Sequence, residues 1–130
     1  MPTVTIRDET RPGRAIAELA LPGLPDRISV RELIRSRVRE EVAQANLDRQ
    51  SSHRLLVLPT DAESSLNGYR LRTPRLIDWE AQAEVALKAF DQNAFFVIVD
   101  GKQVDSLDDE LELAVESQIR FLRLTPLVGG

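Results

Sequence analysis

The chain has 130 residues, enough for one hydrophobic core but not for two. Its 42% hydrophobic and 29% charged residues are ordinary for a globular protein, and a net charge of −4 with a pI of about 5.1 leaves no basic surplus for nucleic acid or anionic lipid. The absence of cysteine excludes disulfides, thiolate metal sites and cysteine nucleophiles, and no apolar run approaches the ~18 residues of a membrane span.

Residues 1–3 lead straight into strand-like sequence without an apolar leader, which predicts a cytoplasmic protein. Residues 3–7 alternate, with Val4 and Ile6 set against Thr3, Thr5 and Arg7, and predict a strand. Asp8-Glu9-Thr10-Arg11-Pro12-Gly13 is turn chemistry. Residues 14–21 then predict a second strand, with Ala15, Ala17, Leu19 and Leu21 in phase, and Pro22-Gly23-Leu24-Pro25 ends it. The two strands make a hairpin.

The next element carries the clearest start signal. Ser29 with Glu32 three residues on is a capping box, and Ile28 with Leu33 fits the hydrophobic staple around it. Val30, Leu33, Ile34, Val38, Val42 and Ala45 form one apolar helical stripe, while Arg31, Arg35 and Arg39 make a basic ridge on the opposite face. Such a ridge reads as a solvated face or as a docking surface for an acidic partner. Asn46 is the expected stop.

Residues 47–93 are less regular. Arg54-Leu55-Leu56-Val57-Leu58-Pro59 reads as a brief edge strand or a tucked loop. Thr60 with Glu63 repeats the capping-box pattern, and Asn67-Gly68 would close a short helical turn. Asp78 then caps a helix whose Trp79, Ala83, Ala86, Leu87 and Phe90 share one face. The single histidine, His53, has no second histidine or cysteine near it and reads as a surface residue.

Residues 94–99, Ala-Phe-Phe-Val-Ile-Val, predict a strand, and Asp100-Gly101 after it is a strong hairpin signal because a type I′ turn needs positive φ at both central residues. Lys102-Gln103-Val104 starts the return strand. The acidic stretch around Asp105, Asp108, Asp109, Glu110, Glu112 and Glu116 lacks the glycine and ligand alternation of a calcium loop and reads as a solvated loop. Residues 118–125 predict the last strand, apolar on both faces, which Pro126 ends because it has no N–H to give a ladder.

The order is thus strand, strand, helix, insertion, strand, strand, strand. The expected fold is α+β: a mixed sheet of 4–5 strands packed on one long helix, with a partly helical insertion at 47–93. If the first and last strands pair side by side, the last strand lies centrally and its two apolar faces are explained. Ile119 and Phe121 would then face the helix, while Leu122 and Leu124 need other cover.

Residues 96–130, with Val99-Asp100-Gly101-Lys102-Gln103-Val104 and the diglycine end, resemble the C-terminal half of the ubiquitin-like β-grasp superfamily. The segment Leu124-Thr125-Pro126-Leu127-Val128-Gly129-Gly130 is similar to the ends of the ThiS/MoaD-type sulfur carriers of thiamine and molybdopterin synthesis. Residues 1–46 match the family's hairpin-plus-helix layout by order of elements, whereas the insertion is a departure from it. The resemblance implies a β-grasp domain over 1–124 and a flexible tail over 125–130, closest to bacterial modifiers encoded beside their own activating enzymes.

The resemblance also implies a chemistry. An E1-like (MoeB/ThiF-type) activating enzyme would adenylate the Gly130 carboxylate, with Gly129 and Gly130 passing its constriction. Arg123, Pro126, Leu127 and Val128 would bind that enzyme. The chain would supply no catalytic group, need no cofactor and, ending at Gly-Gly, need no processing protease. Transfer to a target amine, with an E2-like enzyme and a target protein as further partners, is one reading. A sulfur carrier with a thiocarboxylate at Gly130 is a second, and a non-conjugated β-grasp interaction module is a third. Lys88 and Lys102 are the two lysines among 17 basic residues, which argues against long polymeric chains.

Overall fold

The structure, a computed structural model, describes residues 3–11, 14–47, 55–57, 62–65, 68–71, 76–114 and 116–123. In chain order the elements are β1 (Val4–Arg11), β2 (Arg14–Leu21), β3 (Arg27–Ser29), α1 (Val30–Leu47), β4 (Ala62–Ser65), β5 (Gly68–Leu71), α2 (Trp79–Asp91), β6 (Phe96–Val99), β7 (Lys102–Gln103), β8 (Glu110–Glu112) and β9 (Gln118–Leu122). The chain divides into two compact units, one of Met1–Leu33 with Ala89–Gly130 and one of Ile34–Lys88. Among the described residues, no helix is long and apolar enough to cross a membrane.

The first unit contains a five-stranded mixed sheet in the order β2-β1-β9-β6-β7. The last strand lies at its centre, parallel to β1 and antiparallel to β6. Register places Ile6 beside Ile119 and Asp8 beside Phe121, with Val99 and Val97 on the other flank. Side chains alternate along strands, so Val4, Ile6, Ile119, Phe121, Val97 and Val99 form one buried layer. The opposite face carries exposed Thr5, Arg7 and Gln118, then closes where Glu9 and Leu122 stand side by side, both buried. Leu122 thus has the cover its position demands; Leu124 lies outside the described residues.

Asp8, Glu9, Thr10 and Arg11 depart from the expected turn, because β1 runs on to Arg11. Local preference for a turn loses to a tertiary partner: Asp8 and Glu9 extend the parallel ladder against Phe121 and Leu122. Against β2 the same residues shift register between Asp8 and Glu9 and between Glu9 and Arg11, so the turn tendency survives as two irregularities.

Asp100 and Gly101 both have positive φ, 49° and 84°, and form the tight turn that the Asp-Gly pair predicts between β6 and β7. The preceding strand starts at Phe96, two residues later than expected. Ala94 and Phe95 are taken up by the end of α2. There the Ala94 N–H donates to Ala89 O at 2.9 Å and the Asn93 N–H to Phe90 O at 3.0 Å, around Asn93 at φ 60°. This pairing satisfies two helix carbonyls in the Schellman pattern. It delivers Phe95 to the core, where its ring stacks on Phe121 at 5.7 Å and meets Phe90 edge-on at 5.8 Å.

Two short strands were not expected. β3 and β8 pair antiparallel, Ile28 opposite Leu111, each a buried residue between polar neighbours, with exposed Arg27 and Glu112 bridged at 3.1 Å. The acidic stretch is therefore partly strand. Its loop also serves the helix start: the N–H groups of Val30 and Arg31 donate to Asp109 O and Leu107 O, giving partners to two of the donors a helix N-terminus leaves free. Ser29 Oγ accepts the Glu32 N–H at 3.1 Å, as the capping box predicts.

The second unit holds most of both helices. The stripe of α1 is buried as expected, from Val30 to Ala45. The helix ends at Leu47, one residue past the expected stop at Asn46, and the Asn46 side chain also holds Ile77, its Nδ2 donating to Ile77 O at 3.1 Å and its Oδ1 accepting the Ile77 N–H at 2.8 Å. Asp78 caps α2, accepting the N–H groups of Glu80 and Ala81. The described residues 55–57 are irregular, with Leu55 and Leu56 buried, so they form the tucked loop rather than an edge strand.

The helical turn expected from Thr60, Glu63 and Asn67-Gly68 is overturned. Residues 62–65 and 68–71 are an antiparallel hairpin whose ladder runs to Ser65 opposite Gly68. Gly68, read as part of a helix end, is the first residue of β5 instead.

Trp79 lies beside the basic ridge of α1, with the Arg35 and Arg39 guanidinium carbons 5.3 and 5.6 Å from its ring centre. Arg35 also approaches Glu84 at 4.0 Å. The ridge is thus occupied in part by α2. Trp79 is only half-buried, so the full cost of deleting a core aromatic does not apply. Trp79→Ala is expected to lower stability by about 1–2 kcal/mol, from partial burial and two cation–π contacts, in urea unfolding of the isolated protein. A change near zero would show that the ring is not held between the arginines.

Candidate functional site

Among the site residues expected from sequence, Arg123 is the one the structure describes. Pro126, Leu127, Val128, Gly129 and Gly130 lie outside the described residues, as does His53. The candidate site is therefore the strand that leads to the tail and the groups that hold its two ends.

The start of β9 is tied twice to the tight turn after β6. The Gln118 N–H donates to Asp100 Oδ1 at 2.8 Å, and the Asp100 N–H donates to Gln118 O at 2.8 Å. Just upstream, the Ser117 N–H donates to Ala114 O, and Ser117 Oγ accepts the Ala114 N–H at 2.8 Å. The residue that gives the turn its positive φ thus also fixes where the central strand begins.

Its end is held by Glu9. The Arg123 N–H donates to Glu9 O at 2.9 Å, carrying the β1 contact one residue past the strand. Arg120 reaches the same residue from the outer face, its Nε and Nη2 each 3.0 Å from Glu9 Oε1. The Glu9 side chain is 1% exposed and that of Arg120 25%. A carboxylate so deeply buried is costly without a cation, and the guanidinium fork supplies one while its far side stays in water.

No known protein family, curated protein or solved structure matches this chain. What the site can do is therefore read from its own chemistry. Glu9 and Arg120 were not singled out from sequence, although a signal existed. Arg120 interrupts an otherwise apolar strand, and a cation there calls for an acidic neighbour on the same face. In the turn that its neighbours predict, the direction of Glu9 has no meaning. Once it sits in a strand parallel to β9, its side chain and that of Arg120 share one face.

Among the described residues, the arrangement is a central strand gripped at Gln118 and at Arg123, with the seven residues 124–130 next in sequence.

Proposed function

We propose that this chain is a ubiquitin-like protein modifier with a β-grasp fold. In this reading its Gly130 carboxylate is adenylated by an E1-like, MoeB/ThiF-type enzyme and passed, with or without an E2-like enzyme, to an amine of a target protein. The observation that carries the reading is the place of β9, central in the sheet, parallel to the first strand, and followed at once by Leu-Thr-Pro-Leu-Val-Gly-Gly. Two hairpins joined by a connection containing α1 make that arrangement, and the strand order supports a β-grasp assignment.

The chemistry asks little of the protein itself. A carboxylate oxygen of Gly130 attacks the α-phosphorus of ATP, and pyrophosphate leaves. The resulting acyl adenylate is attacked by a thiolate, releasing AMP, and the thioester by an amine, releasing the thiol. Each step needs a carbonyl that a narrow enzyme channel can surround, and Gly129 and Gly130 present no Cβ to obstruct it. The folded domain contributes a fixed point of departure for the tail, because Glu9 holds Arg123.

Pyrophosphate exchange with the cognate activating enzyme and ATP tests this. Deleting Gly130, or replacing Gly129 with phenylalanine, is expected to abolish exchange while leaving the urea unfolding curve unchanged. Exchange that survives both changes would overturn the role of the tail.

A further inference from the structure

A second surface, independent of the tail, lies at the far edge of the same sheet. β7 is the last strand in the order and, among the described residues, pairs with β6 alone. In that antiparallel pair Val99 stands opposite Lys102, Ile98 opposite Gln103, and the Val104 N–H donates to Val97 O at 3.0 Å. Antiparallel ladders alternate, so the main-chain N–H and C=O of Gln103 face away from β6. Such an edge is a template for another strand unless something covers it.

Beside this edge the first unit has a cleft of about 540 Å³. Lys102 and Gln103 line it together with Glu110 and Glu112 of β8, and Val99 and Leu111 add apolar surface. Its volume is within the range of roughly 300–1,000 Å³ in which ligand sites fall. Asp100 and Asp109 also line it, so four carboxylates stand against the single ammonium of Lys102. Two of the four are fixed by the backbone they cap: Asp100 accepts the Gln118 N–H, and Asp109 accepts those of Asp105 and Ser106. Glu110 forms no ion pair among the described residues, and Glu112 meets Arg27 where both are largely exposed.

We propose that this cleft receives an extended peptide carrying lysine or arginine at alternate positions, which adds a strand to the free edge of β7. Alternation is the point of the fit. In an added strand, every second side chain points to one side, where the carboxylates of Glu110 and Glu112 lie across the cleft. The intervening side chains need only be apolar or small. Main-chain pairing to Gln103 supplies affinity, and the carboxylates choose the sign of the partner.

The probe is a blocked six-residue peptide of alternating lysine and valine, titrated into the full chain labelled with nitrogen-15. Amide shifts are expected to concentrate at Lys102, Gln103 and Val104 and at Glu110 to Glu112. Gln103→Pro removes the outward N–H at a position where an edge strand tolerates proline, and is expected to abolish those shifts. Glu110→Lys with Glu112→Lys leaves the edge intact and is expected to raise Kd by about tenfold or more. The glutamate–valine peptide and spermine, which has charge without a peptide backbone, are expected to leave these amides unmoved. The proposal is overturned by an equal response to spermine, by shifts centred elsewhere, by no response to millimolar lysine–valine peptide, or by an unchanged Kd in the charge-reversed variant.

Discussion

Phe121→Ala is expected to lower the stability of the protein by about 3–5 kcal/mol, the cost of removing a fully buried phenylalanine from a core that cannot close around the gap. Phe121 sits on the central strand, 0% exposed, with β1 on one side and β6 on the other. Its ring is the inner member of the Phe90, Phe95, Phe121 series, so the truncation also strips the stacking partner from Phe95. Phe121→Leu keeps most of the volume and should cost far less. Urea unfolding of both variants, with the slope unchanged, checks the prediction. A loss below about 1 kcal/mol for the alanine variant would contradict the central placement of β9.

Arg37→Ala should be comparably damaging, by about 3–5 kcal/mol, for an electrostatic reason. Arg37 and Glu41 lie one turn apart on α1 with side chains 2% and 7% exposed, and Arg37 Nε meets Glu41 Oε2 at 3.3 Å. Glu41 Oε1 accepts the Leu56 N–H at 2.9 Å and so ties the tucked loop to the helix. Removing the guanidinium leaves a buried carboxylate without that cation. Arg37→Met combined with Glu41→Gln removes both charges and keeps an acceptor for Leu56, and is expected to be much closer to wild type than Arg37→Ala. If the double variant is as unstable as the single one, packing rather than charge dominates at this pair.

Much of this fold was legible in the sequence, and what was legible is local. Alternation placed the hairpin of residues 4–7 and 14–21, Ser29 and Asp78 marked helix starts that their side chains do cap, and Asp100-Gly101 marked a turn with the required positive φ. The central position of the last strand was expected if it paired with the first, and the two do pair, parallel and side by side.

Most of the misreadings share one cause, a partner distant in sequence. Asp8 and Glu9 are turn residues but extend β1 because β9 offers a ladder on the other side. Ile28 and Leu111 are single apolar residues in polar settings, too short a pattern to declare a strand, until each supplies the other's ladder. Asn46 does stand near the helix end, but its amide serves the backbone of Ile77, 31 residues on, a contact that no local pattern shows. The segments 62–65 and 68–71 are the exception, a local hairpin where a helical turn was expected.

The candidate site was legible in a different sense. The diglycine segment is a matter of composition and position, open to reading without any fold. The Glu9–Arg120 clamp was not, since it exists only when two segments 111 residues apart lie parallel and in register.

The most direct test of the proposed function is the covalent fate of Gly130 in the source cell. Trypsin cuts after Arg123, so a conjugated target would carry residues 124–130 on a lysine side chain as a branched remnant. Tagged protein is purified under denaturing conditions, digested and sequenced by mass spectrometry. The account predicts target peptides bearing Leu-Thr-Pro-Leu-Val-Gly-Gly on a lysine, and their loss when Gly130 is deleted. A tail found free, or with one carboxylate oxygen replaced by sulfur and no remnant on any protein, would contradict it.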